Sequence, residues 1–190
     1  MKIKICGISS LDTIPVLNEV RPDYVGFVFA KSKRQVTLEK AKALRKALDR
    51  EIPTVGVFVN ADLNFIKQCV DEDVISIVQL HGQEDQNDID EVKKLGVTVI
   101  KAVSYDEIKS YHNIDYLLVD NQVAGSGQSY DYTQVHLDRP YILAGGLNID
   151  NIEEATKSGA EILDLSSGVE TNGTKDPEKI REIVRRVHHE

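Results

Sequence analysis

The chain has 190 residues, 41% of them hydrophobic and 28% charged, which provides one sizeable core and too little for a second, so residues 1–190 read as one domain. A net charge of −8, with the cations scattered rather than gathered into a tract, argues against nucleic acid as a partner. No apolar run approaches the roughly 20 residues that cross a bilayer, and the start lacks the pattern of a signal peptide, so no membrane partner and a cytoplasmic location are expected.

Short apolar, β-branched runs read as strands, and the first, 3–6, ends in Cys6 just before Gly7. Pro15 follows, tolerable in a helix if Thr13 is the cap and not if the helix begins at Ser9 or Ser10, so that boundary stays open. After a run at 24–29, Leu38, Ala41, Leu44 and Leu48 repeat at helical spacing. Further runs stand at 54–59, 76–80, 98–103 and 116–119. From Asn121 to Arg139 the apolar period fails, and Gly125, Ser126, Gly127, Gln128 and Ser129 predict a functional loop rather than a helix or a domain linker. Then come a run at 141–144, a helix from Asn148 to a stop at Gly159, and a run at 162–165. A last helix is capped by Asp176, has Pro177 in its first turn and carries the stripe Ile180, Ile183, Val184, Val187.

Eight runs recurring every ~20 to 30 residues predict parallel strands joined by helical crossovers. These close into a (β/α) barrel or lie flat as a doubly wound sheet. No glycine-rich dinucleotide fingerprint follows the first strand, which favours the barrel, and a missing helix would reconcile it with the short chain. A barrel gathers the carboxyl ends of its strands at one mouth, here Cys6, His81, Asp120, Gly145-Gly146, Asp164 and Ser166-Ser167-Gly168. Glycine and serine turns after the seventh and eighth strands present backbone N–H groups and predict a phosphate site. Asp164, between Leu163 and Leu165, points into the barrel, where it can stand as a structural acid paired there. Cys6 and Cys69 are read as reduced thiols, and the five dispersed histidines predict no metal site.

Seven stretches in order carry a resemblance that spans almost the whole chain. They are Lys4-Ile5-Cys6-Gly7, Gly26-Phe27-Val28-Phe29, Ser32-Lys33-Arg34, Val55-Gly56-Val57-Phe58-Val59-Asn60, Gln79-Leu80-His81-Gly82, Leu143-Ala144-Gly145-Gly146-Leu147 and Ser166-Ser167-Gly168-Val169-Glu170. The chain resembles phosphoribosylanthranilate isomerase, a family of barrel enzymes of tryptophan biosynthesis in which the sixth helix is replaced by a glycine-rich loop. It departs from the family where Gly125-Ser126-Gly127 and Tyr130-Asp131-Tyr132 stand in that loop, and where Ala30 and Lys33 replace prolines near Arg34.

The resemblance implies a cofactor-free Amadori rearrangement of an N-ribosyl anthranilate phosphate. It makes Asp120 the general acid and Cys6 the general base. It places Asp164 on the anthranilate nitrogen and Arg34 on the substrate carboxylate, and His81 lines the site. Gly145, Gly146, Ser166, Ser167 and Gly168 hold the phosphate. Lys4 and backbone dipoles are candidates for favouring the thiolate of Cys6. A monomer is expected. The competing readings are another sugar-phosphate barrel enzyme, such as an indole-glycerol-phosphate synthase or a ribulose-phosphate epimerase, a nucleophilic thiol partnered by His81, and a non-catalytic binder of phosphoribosyl ligands.

Overall fold

The computed structural model describes residues 1–104, 108, 111–120, 135 and 137–189. Eight parallel strands close on themselves in chain order: β1 (Lys2–Cys6), β2 (Tyr24–Val28), β3 (Thr54–Phe58), β4 (Ile77–Leu80), β5 (Thr98–Val103), β6 (Tyr116–Asp120), β7 (Tyr141–Ala144) and β8 (Ile162–Leu165). Among the described residues, helices α1 (Ile14–Val20), α2 (Leu38–Ala47), α3 (Leu63–Asp71), α4 (Gln86–Lys93), α5 (Ile152–Ala155) and α6 (Pro177–His188) follow β1, β2, β3, β4, β7 and β8. This is the (β/α) barrel expected from the strand rhythm, and no strand end moves by more than one residue. Of the segment from Asn121 to Arg139 expected in place of the sixth helix, residues 121–134 and 136, with all of its glycines, lie outside the described residues.

The two-residue period of the strands sorts side chains into two cores. Ile3, Ile5, Val25, Phe27 and Leu163 face outward and pack with the helices. Val55, Ile77, Ile100, Leu118, Ile142 and Ile162 fill the barrel itself. Closure brings β8 beside β1, with Lys4 paired to Tyr24 on one side and to Asp164 on the other.

The helix ends obey local chemistry. Asp176 accepts the N–H of Glu178 at 2.9 Å and caps α6, and Ile180, Ile183, Val184 and Val187 are all buried. Thr37 caps α2 through the N–H of Lys40, at 3.2 Å. Leu48 lies one residue past the end of α2, extended but still buried. The open boundary at Pro15 resolves into two pieces. Ser10 accepts from Asp12 to start a short 3-10 turn, Leu11–Thr13, and Pro15 then lies in the first turn of α1, where its missing N–H costs nothing.

The helix expected from Asn148 begins later, at Ile152. Asn148 instead accepts the N–H of Asp150 and donates its own N–H to Asn151, each at 2.8 Å, a turn that uses the capping chemistry before any helix starts. The stop at Gly159 stands: the residue is left-handed, φ 84°, after a 3-10 turn over Thr156–Ser158.

Candidate active site

A cavity of about 300 Å³ opens at the carboxyl ends of the strands. Cys6, Asp120 and Asp164 line it from β1, β6 and β8, and His81 lines it from just beyond β4. Arg34, Gly145, Gly146, Ser166 and Ser167 line it from the loops. Nine of the ten expected site residues therefore line one cavity. Gly168 does not line the cavity. A Cβ there would lie 1.8 Å from the carbonyl oxygen of Leu147, and Gly168 bridges to Asn148, so the missing side chain lets the β8 loop close onto the β7 loop.

Cys6 needs similar room. A Cβ on Gly26, its neighbour in register, would lie 2.7 Å from the Cys6 sulfur, so the glycine of β2 makes space for the thiol. Beneath the thiol lies Lys4, whose ammonium donates to Asp164 Oδ2 at 2.8 Å, with side-chain exposures of 1% and 8%. Burial pushes the Cys6 thiol above its ordinary pKa of 9.0, while the charge and hydrogen bond of Lys4 pull it back down. Burial likewise works against the Lys4 ammonium, yet Asp164 and Cys6 hold its pKa above the ordinary 10.5. Lys4 is therefore a resident cation. Asp164 is paired through Oδ2 to Lys4, as expected of a structural acid, while Oδ1, at the same cavity, is buried without a partner.

On the far wall His81 Nε2 lies 3.4 Å from Asp120 Oδ2, and His81 Nδ1 meets the amide nitrogen of Gln79 at 3.0 Å. The loop after His81 is pinned from outside the barrel. Buried Glu84 accepts the N–H groups of Gly82 and Asn60, at 2.8 and 2.7 Å, and pairs with Lys101 at 2.8 Å.

The resemblance places Arg34 on the substrate carboxylate. Its Nε and Nη2 grip Glu170, at 2.6 and 2.9 Å, so the side edge of the guanidinium is already occupied. Its end edge, Nη1 with the outer hydrogen of Nη2, is not engaged by Glu170. Glu170 belongs to a two-stranded ribbon, β9 (Glu170–Thr171) with β10 (Thr174–Lys175), that follows β8. Lys175 completes the cluster, donating to Glu170 at 2.9 Å and to the carbonyl of Ser166 at 2.7 Å. Burial opposes ionisation of Glu170, but the hydrogen bonds from Arg34 and Lys175 prevail and bring its pKa to about 2.

Lys175 and the role of Gln79 escape the sequence reading. Gln79 had one signal, a polar residue two positions before His81 on an apolar strand, hence on the same face.

Three buried side-chain oxygens lack a partner among the described residues, namely Gln79 Oε1, Asp120 Oδ1 and Asp164 Oδ1, and all three residues line the cavity. Such atoms are costly to bury, so they mark where a ligand's polar groups belong.

Comparison with known proteins agrees with this geometry. A family described as N-(5'-phosphoribosyl)anthranilate (PRA) isomerase matches residues 3–186. The chain is 43% identical to the N-(5'-phosphoribosyl)anthranilate isomerase of Clostridium acetobutylicum, over 98% of each chain. It superposes on the phosphoribosyl anthranilate isomerase of Thermus thermophilus with a TM-score of 0.87 and 31% identity, covering 100% and 99% of the two chains. A second structure, with a TM-score of 0.84 and 29% identity over 100% of both chains, is a phosphoribosyl anthranilate isomerase in complex with reduced 1-(o-carboxyphenylamino)-1-deoxyribulose 5-phosphate. The chain belongs to the N-(5'-phosphoribosyl)anthranilate isomerase family.

Proposed function

We propose that the protein converts N-(5'-phosphoribosyl)anthranilate into 1-(o-carboxyphenylamino)-1-deoxyribulose 5-phosphate in tryptophan biosynthesis, with Asp120 as general acid and Cys6 as general base. The observation that carries this reading is the convergence of a thiol above a buried ammonium with two carboxyl groups, each with one unpartnered oxygen, on one cavity.

Asp120 gives its proton to the furanose ring oxygen as the bond from that oxygen to C1 breaks, and the anilino nitrogen lone pair forms the C1=N bond of a Schiff base. Cys6, as thiolate, takes the proton from C2. The C–H electron pair forms C1=C2, and the C=N pair returns to nitrogen. The enolamine then moves its hydroxyl proton to C1 and becomes the ketone. C1 is reduced and C2 oxidised within one molecule, so the redox change balances without an external cofactor.

Lys4 supplies the positive charge that makes a buried thiolate tolerable, and Asp164 keeps that charge in place. Asp164 Oδ1 accepts the anilino N–H. Arg34 offers its end edge to the anthranilate carboxylate, and His81 lines the ribose side. Gly145, Gly146, Ser166 and Ser167 take the phosphate, with Gly168 holding their two loops together. We place the enzyme in the cytoplasm as a monomer. Both cysteines are unpaired, no described helix is long and apolar enough to cross a membrane, and the large apolar side chains exposed among the described residues are Met1, Leu11 and Val59.

The test is the loss of anthranilate-type fluorescence when purified protein meets freshly made phosphoribosylanthranilate. Turnover supports the reading. Tight phosphate-ester binding without turnover would instead favour another reaction of the sugar-phosphate barrels.

A further inference from the structure

Gln79 is 1% exposed, and its side chain touches the cavity from the same strand face as His81. Its amide nitrogen lies 3.0 Å from His81 Nδ1. An amide nitrogen donates hydrogens and has no lone pair to offer, so this contact requires Nδ1 to be bare. The proton of the neutral imidazole is then on Nε2, the nitrogen that faces Asp120 Oδ2 at 3.4 Å. The contact is one of charge rather than a hydrogen bond, and the positive end of that N–H makes Oδ2 the less basic oxygen, so the acid proton of Asp120 belongs on Oδ1, which the protein leaves without a partner.

We infer that Gln79 is a positioning residue for the isomerisation: by fixing the tautomer of His81 it keeps the transferable proton of Asp120 on Oδ1. The inference rests on the reading of Asp120 as the general acid. It gives the buried amide a purpose beyond packing, since Leu or Met would fill the same place on an apolar strand without burying a polar group at a cost. It also gives His81 a direction. With the reverse tautomer, bare Nε2 would draw the acid proton onto Oδ2, toward the imidazole and away from the unpartnered oxygen. Once Asp120 has given up its proton, the same Nε2–H stabilises the carboxylate left behind.

Nitrogen NMR on protein labelled with 15N-histidine reads the tautomer directly in the ligand-free enzyme, at alkaline pH where imidazoles are neutral. The signals of His81 are identified by their loss in His81→Asn. Bare Nδ1 with protonated Nε2 is the expected result, and protonated Nδ1 in the wild type would overturn the inference. In Gln79→Glu the carboxylate beside Nδ1 requires a donor, so the tautomer inverts and kcat falls about tenfold or more with a smaller change in KM. Gln79→Met, which keeps the volume and brings no charge into the barrel, loses the tautomer preference and shows a similar fall in kcat. An inverted tautomer with undiminished kcat would also overturn the inference. If the wild type fails to turn over phosphoribosylanthranilate, the proposed function fails, while the NMR measurement still decides whether Gln79 sets the tautomer.

Discussion

Lys4 and Asp164 stand opposite each other in register on β1 and β8, joined by a 2.8 Å hydrogen bond where the barrel closes. Desolvation of two charges offsets much of their attraction, so the pair is weak evidence of stability and strong evidence of a need for charge. Replacing Lys4 by Met leaves Asp164 unpaired in the lumen and costs about 3–5 kcal/mol of folding free energy. Denaturant unfolding of Lys4→Met against Lys4→Met/Asp164→Leu tests this: the double variant regains most of the loss, but not the activity.

The same pair sets the titration of Cys6. Burial holds the thiol above 9.0 and Lys4 opposes that rise, so removing Lys4 moves the thiol higher still. Thiolate absorbance in a Cys69→Ala background removes the second thiol, itself pushed up to about 11 by burial. The midpoint is expected above 9.0 in the parent and higher again in Lys4→Met. A midpoint that does not respond to Lys4 would remove the ammonium from the mechanism.

Glu170 has its pKa depressed from 4.5 to about 2 on folding, so it contributes stability fully above 4.5 and loses it as pH falls toward 2. The loss over that window amounts to about 3 kcal/mol. Buried Glu84, whose pKa is lowered against its burial by Lys101 and two backbone N–H groups, loses stability in the same direction. Urea unfolding between pH 5 and pH 2 should show a shallower decline in Glu170→Gln than in the wild type.

Glu170→Gln also frees Arg34. The guanidinium then no longer holds one orientation over the cavity, and KM rises while kcat changes less, because Arg34 recognises a part of the substrate that does not react. An unchanged KM would assign the Arg34 and Glu170 pair to folding alone.

Gly168→Ala drives a methyl group against the Leu147 carbonyl, where backbone must shift. A loss of about 1–3 kcal/mol is expected, with a KM increase that reports the displaced phosphate loops. Thermal unfolding and steady-state kinetics on one preparation check both.

The sequence carried the mouth of the barrel well because buried parallel strands are continuous apolar runs, and the fold collects their ends. Cys6 and Asp120 were legible for that reason. Gly168 was legible as a turn residue, but its purpose depends on a carbonyl 21 positions away in the chain, at Leu147, and no local pattern encodes that distance. The grip of Glu170 on Arg34 spans 136 residues and was invisible for the same reason. Asn148 reads locally as the start of a helix, and only the closed loop shows that its side chain and that of Asn151 are spent on a turn before the helix begins at Ile152.

The central claim is that Cys6 and Asp120 form the acid–base pair, and turnover of phosphoribosylanthranilate by wild type, Cys6→Ser and Asp120→Asn tests it most directly. The account predicts a loss of about 10²–10⁴-fold in kcat for each variant. Wild-type turnover by Cys6→Ser would contradict it, leaving the reaction in place and the base elsewhere.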